Sequence, residues 1–107
     1  LLIRNGTSEG IEANGLPLGL FCSGPFGVTR LAMNPGDSLL LYTDGLSEAR
    51  NSSNTEYGVD RLARVARDNG RRPPQAIVGA CLQDLAAFLS GVARTDDLAV
   101  MAVQRAA

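Results

Sequence analysis

Apolar residues follow two regimes along the chain. Up to residue 44 they come in short runs separated by turn residues. From residue 57 they recur every three or four positions, and then close in one more short run. The opening run, residues 1–4, predicts a strand. Asn5-Gly6 predicts a two-residue hairpin, because both central positions of a type I′ turn need positive φ. The return strand is expected over 7–13, with Ile11 inward. Residues 14–20 and 23–27 read as glycine-rich turns. A strand with partial alternation is expected over 28–33, followed by a tight turn at Asn34-Pro35-Gly36-Asp37. Residues 38–43 read as the most buried strand, stopped by Asp44-Gly45.

The second regime is helical. Val59, Leu62, Ala63 and Ala66 share one face of a helix expected over 57–69. Asn69-Gly70 is its stop signal, Gly tolerating the left-handed conformation. Pro73-Pro74 opens a second helix, where a missing N–H costs nothing. Its apolar stripe is Ile77, Cys81, Leu82, Leu85, Phe88 and Leu89. Ser90-Gly91 ends it. A strand over 98–103 is apolar on both faces, which predicts a central position in the sheet. The order β-β-β-β-α-α-β implies an α+β fold, an antiparallel sheet with an αα-hairpin on one face.

Composition narrows the chemistry. A chain of 107 residues, 45% hydrophobic and 20% charged, suits one small globular domain. The net charge of −1 advertises no surface for nucleic acid, and no apolar run approaches the roughly 20 residues of a membrane span. A cytoplasmic location is expected. Cys22 and Cys81 are far apart and read as reduced, buried thiols. All ten cations are Arg and there is no His. Imidazole is therefore excluded, and acid/base or metal chemistry must rest mainly on carboxylates and water. The chain opens directly on a strand without Met, which reads as a piece of something longer.

Two acidic positions stand at strand ends. Asp44 follows an apolar strand, and Asp96-Asp97 precede one. If the strands at 38–43 and 98–103 are antiparallel neighbours, about 4.8 Å apart, Asp44 and Asp96 converge on one edge. Hard oxygen ligands without His or Cys suit Mg²⁺ or Mn²⁺. Gly45 leaves room near the backbone. The competing reading is plain turn chemistry, since Asp-Gly is a common turn pair and Asp often caps loops. Asp37 reads as turn chemistry, Glu48 as a solvated or Arg-paired residue, and Tyr57 and Phe88 as packing residues. A haloacid-dehalogenase phosphatase is excluded, because Tyr42-Thr43-Asp44-Gly45-Leu46 lacks the first, nucleophilic Asp of that motif. The glycines at 10, 15, 19, 24 and 27 have neither a dinucleotide-binding spacing nor a Walker lysine.

Four blocks in order carry a family resemblance: residues 16–20 (LPLGL), residues 35–51 (PGDSLLLYTDGLSEARN), Tyr57-Gly58 with Arg61-Leu62, and Thr95-Asp96-Asp97 before the closing strand. Together they resemble the C-terminal part of a metal-dependent serine/threonine protein phosphatase domain of the PPM (protein phosphatase 2C-like) class, in its SpoIIE/RsbU subgroup. The resemblance spans nearly all of residues 1–107 and implies that the N-terminal half of the domain is missing. It implies an α-β-β-α sandwich with a two-metal site, Mn²⁺ or Mg²⁺, at one end. A metal-activated water would hydrolyse phosphoserine or phosphothreonine, typically on an anti-sigma-factor antagonist. Carried over by motif, Asp44 is one metal ligand, Asp96 a second, and Asp97 its neighbour, with Gly45 beside the site.

Two departures qualify what the resemblance implies. Ala99 stands where the family usually has Thr or Ser, and no Gly-Asp-x-x-Gly segment with the bridging Asp occurs. The chain alone is therefore expected to have little or no phosphatase activity. It is also expected to pair with the N-terminal half or to self-associate. The alternative function is a non-catalytic PPM-like module that binds a phosphoprotein or another partner.

Overall fold

The computed structural model describes residues 1–11, 30–93 and 97–106. Within them the order is β1 (Leu2–Arg4), β2 (Thr7–Glu9), β3 (Ser38–Tyr42), α1 (Asp44–Ser47), α2 (Val59–Asp68), α3 (Pro74–Leu89) and β4 (Val100–Gln104). The four strands form one antiparallel sheet in the order β2-β1-β3-β4. The fold is α+β, with the expected antiparallel sheet and helix pair.

Local chemistry explains most of these elements. Asn5 and Gly6 both take positive φ, as the type I′ hairpin requires, and Arg4 pairs with Thr7 across the turn. The Asn34–Asp37 turn closes with the Asp37 amide on the Asn34 carbonyl at 2.9 Å. The Asp37 carboxylate accepts from the Asn34 amide at 2.7 Å and from Arg4 Nε at 2.8 Å. Asp37 is turn chemistry, as expected, but it is also buried and ion-paired. Burial pushes its carboxyl up, yet the Asn34 amide, the Arg4 hydrogen bond and the charges of Arg4 and Arg105 together hold it below its ordinary value. Pro74 sits in the first turn of α3, and Ser90 ends that helix in the left-handed conformation.

The helices cover one face of the sheet. Ile3 and Leu40 join Leu46, Tyr57, Leu62, Ala66, Ile77, Cys81, Leu85 and Leu89 in a single core, with Tyr42, Val100 and Ala102 packed against it. The face of opposite parity is largely open. Leu41, Met101 and Val103 lie there at 43%, 55% and 46% exposure, and the register sets Leu41 opposite Met101 and Leu39 opposite Val103.

Several expectations are corrected. Among the described residues β4 is an edge strand with one open face, not a central one. It also starts at Val100 rather than at residue 98. Residues 30–33 form no strand; 28 and 29 lie outside the described residues. The return strand is only Thr7–Glu9. Asp44-Gly45 stops β3 but begins the one-turn helix α1. Val59 and Leu82 are exposed, because the buried stripes narrow to Leu62-Ala66 and to Ile77-Cys81-Leu85-Leu89. Gly70 is not left-handed. It is pressed against β1, where a Cβ would come within 2.5 Å of Ile3 Cγ2. Cys81 is a free, buried thiol, as expected; Cys22 lies outside the described residues.

Candidate functional site

β3 and β4 are antiparallel neighbours, with Tyr42 opposite Val100. That pairing is the condition under which residues following β3 and preceding β4 converge. Beyond the last pair Thr43 continues the ladder. Its amide donates to the Ala99 carbonyl at 3.0 Å, and its Oγ1 accepts from the Ala99 amide at 3.0 Å. The Thr43 side chain is therefore committed to the neighbouring segment and makes no cap for α1. Ala99, the departure from the family pattern, is held here by its backbone.

Gly45 is buried and fits against the 97–98 backbone. A Cβ on it would collide with the Asp97 carbonyl. Glycine at 45 is thus required by close approach, and it brings the chain carrying Asp44 against the chain carrying Asp97. Thr43, Asp44, Gly45, Asp97, Leu98 and Ala99 line one cavity of about 380 Å³. Asp44 is exposed, and among the described residues its carboxylate makes no hydrogen bond or ion pair. Asp97 is exposed on the same cavity. Asp96 lies outside the described residues. No group of three potential ligands occurs among the described residues. Asp44 and Asp97 are hard oxygen donors, Asp44 without a partner among the described residues, and fit part of a Mg²⁺ or Mn²⁺ site.

The open sheet face reaches the same point. A second cavity of about 530 Å³ runs past Ile11, Leu31, Leu39 and Leu41 to Asp44. Asp44 therefore stands between an acidic cavity and an apolar groove.

A side-chain network joins Tyr57 to α2 and α3. Tyr57 donates from its hydroxyl to Asp84 Oδ2 at 2.5 Å. Arg61 forks onto Asp84 at 2.8 and 3.1 Å, and its guanidinium lies 5.3 Å from the Tyr57 ring and 4.9 Å from the Phe88 ring. The two rings meet edge to face at 5.4 Å. The Arg61 hydrogen bonds hold the Asp84 carboxyl below its ordinary value, with burial opposing and the Tyr57 hydroxyl assisting. Burial, then the Asp84 partner, push the Tyr57 phenol up. The Tyr57 amide donates to the Ala49 carbonyl at 2.7 Å, and the Gly58 amide to Ser47 at 2.8 Å. The network is thus tied to the end of α1 and the residues that follow it.

Tyr57 and Phe88 pack as expected, and Glu48 is exposed. Asp84 was not singled out from the sequence. Its signal was its isolation as the one charged residue of the 16-residue α3.

Comparison with known proteins agrees with this architecture. The SiaA-PP2C domain of Pseudomonas aeruginosa superimposes with a TM-score of 0.62 at 27% identity, over 69% of this chain and 31% of that one. Protein IcfG of Synechocystis sp. is 27% identical over 105 residues, which are 98% of this chain and 16% of that protein. Sheet, helix pair and match to a PP2C domain define the fold as part of a PPM-type, PP2C-like domain. The family model of stage II sporulation protein E (SpoIIE) matches residues 1–106, and the chain belongs to that family. It spans less than a third of the matched structure and about a sixth of the cyanobacterial relative. No helix among the described residues is long and apolar enough to cross a membrane.

Proposed function

We propose that this chain supplies part of the metal site of a serine/threonine protein phosphatase acting on a phosphorylated regulatory protein. The carrying observation is the exposed Asp44 carboxylate, without a partner among the described residues, lining one cavity with Asp97. Asp44, Asp96 and Asp97 would hold Mn²⁺ or Mg²⁺. Bound there, the metal would lower the pKa of water and neutralise phosphoryl charge. The chain's own contribution is placement. Gly45 sets the Asp44 turn against the 97–98 segment, and Thr43 locks the two backbones.

The bridging carboxylate belongs, in this reading, to the remainder of the domain, and so this segment alone is inactive. The open face bearing Leu41, Met101 and Val103 is the surface on which that remainder packs, or failing it a second copy.

The test is Mn²⁺-dependent hydrolysis of a phosphoserine peptide by the full-length protein. Asp44→Asn should nearly abolish turnover, a loss of about a hundred- to a thousandfold on the scale of a lost electrostatic group at a reacting centre. Full activity in that variant would overturn the assignment. Phosphopeptide binding without turnover in the unaltered protein would instead make it a binding module.

A further inference from the structure

We propose a second site, at the opposite end of β3 from Asp44, that binds a small molecule through its phosphate group. The fold builds it from the turn after α2. Asn69 caps that helix through its amide and its side chain, both bonded to the Val65 carbonyl, and the Arg72 amide donates back to the Asn69 carbonyl at 3.0 Å. The last turn of α2 and this compact turn after it place Arg67, Arg71 and Arg72 around a cavity of about 460 Å³. Gly70 pins the turn to β1 by its approach to Ile3, so that the cavity closes against the Asn5-Gly6 hairpin and the Pro35-Gly36 turn.

The charges on the rim are unbalanced. Among the described residues the Arg67 and Arg71 guanidinium groups make no hydrogen bond or ion pair, and that of Arg72 donates only to the Asn69 side chain, at 2.9 Å. Asp37 also lines the cavity, but its carboxylate is already committed to Arg4 and the Asn34 amide. Among the described residues Asp68 is the one uncommitted carboxylate lining the cavity. Three guanidinium groups against one free acid favour an anion. The planar donor fork of Arg matches the oxygens of a phosphate. The volume falls in the range of small-ligand pockets, roughly 300–1,000 Å³.

Arg67 lies in the last turn of α2, where a cation also complements the helix dipole. Arg71 and Arg72 lie beyond the helix and have no such role. The site shares no residue with the Asp44 cavity and stands or falls independently of the phosphatase reading.

The experiment is calorimetric titration of the full-length protein with inorganic phosphate and with adenosine monophosphate, in EDTA to exclude metal-mediated binding. Saturable binding of both is expected, weakening as salt rises. The Arg67→Gln/Arg71→Gln variant should bind about tenfold or more weakly, the loss of one charge-assisted contact being sufficient for that factor. Asp68→Asn should bind more tightly, a gain that misfolding would not produce. Asp44→Asn should leave this binding unchanged. The proposal is overturned by no saturable binding of either probe, by unchanged affinity in the double variant, or by binding of a phosphoserine peptide alone.

Discussion

Asp84 and Asp44 show how one residue type does two jobs in this fold. Asp84 spends its carboxylate inside the molecule, on Tyr57 and the Arg61 fork. Asp44 is positioned by its backbone, between the end of β3 and the glycine seated on the 97–98 segment, but its carboxylate has no partner among the described residues. Leaving a placed carboxylate unpaired does nothing for the fold. The difference separates an acid that builds the domain from one available to a ligand.

The largest effect is expected at Asp84. Asp84→Ala strands the Tyr57 hydroxyl and a partly buried guanidinium. It should cost about 3 kcal/mol of domain stability by denaturant titration, between the values for a lost hydrogen bond and a broken buried pair. A loss below about 1 kcal/mol would show that the network is ornamental.

Gly45→Ala forces a methyl group into the Asp97 carbonyl, which is backbone and cannot rotate away. It should cost about 2 kcal/mol, as overpacking does. It should also weaken Mn²⁺ binding in the full-length protein, followed by metal-dependent thermal shift.

A pH series sharpens the contrast. The Asp84 pKa is lowered in the folded state, so its stabilisation is present above the ordinary value of 3.8 and is lost as pH falls through that region. Asp84→Asn should flatten this acid limb. On the alkaline side burial, then the nearby Asp84 charge, raise the Cys81 thiol from 9.0 to about 11. A raised pKa stabilises fully below 9.0, and that contribution is lost as pH rises towards 11. Cys81→Ser, compared with the unaltered protein across that window, isolates the contribution.

The smallest expected effect is at Asp44 itself. Asp44→Asn should change metal-free stability by no more than about 0.5 kcal/mol, as exposed substitutions do. A loss as large as that of Asp84→Ala would make Asp44 a structural acid and erase the distinction.

Much of the framework was legible in the sequence, because it follows from local rules. Asn5-Gly6 has the left-handed pair a tight hairpin needs, and Pro73-Pro74 marks the start of α3. The 38–43 run reads as a buried strand whose end at Asp44 converges on Asp96 if the closing strand is its antiparallel neighbour, and the pairing of β3 with β4 meets that condition. Where expectation failed, the deciding contact was distant in sequence. Gly70 resembled a left-handed stop, yet its reason is Ile3, on the first strand. Leu82 fits a helical stripe, yet the layer beneath α3 reaches only as far as the Cys81-Leu85 ridge.

The sequence by itself determined the α+β class, the two helices, the hairpin and the acids at the strand ends, since each depends on periodicity or on the φ preferences of one or two residues. Only the tertiary structure decided which aspartate is spent and which stands open, why residues 45 and 70 must be glycine, and that three arginines share one cavity. Those outcomes depend on what lies across the fold, at separations that local pattern does not encode.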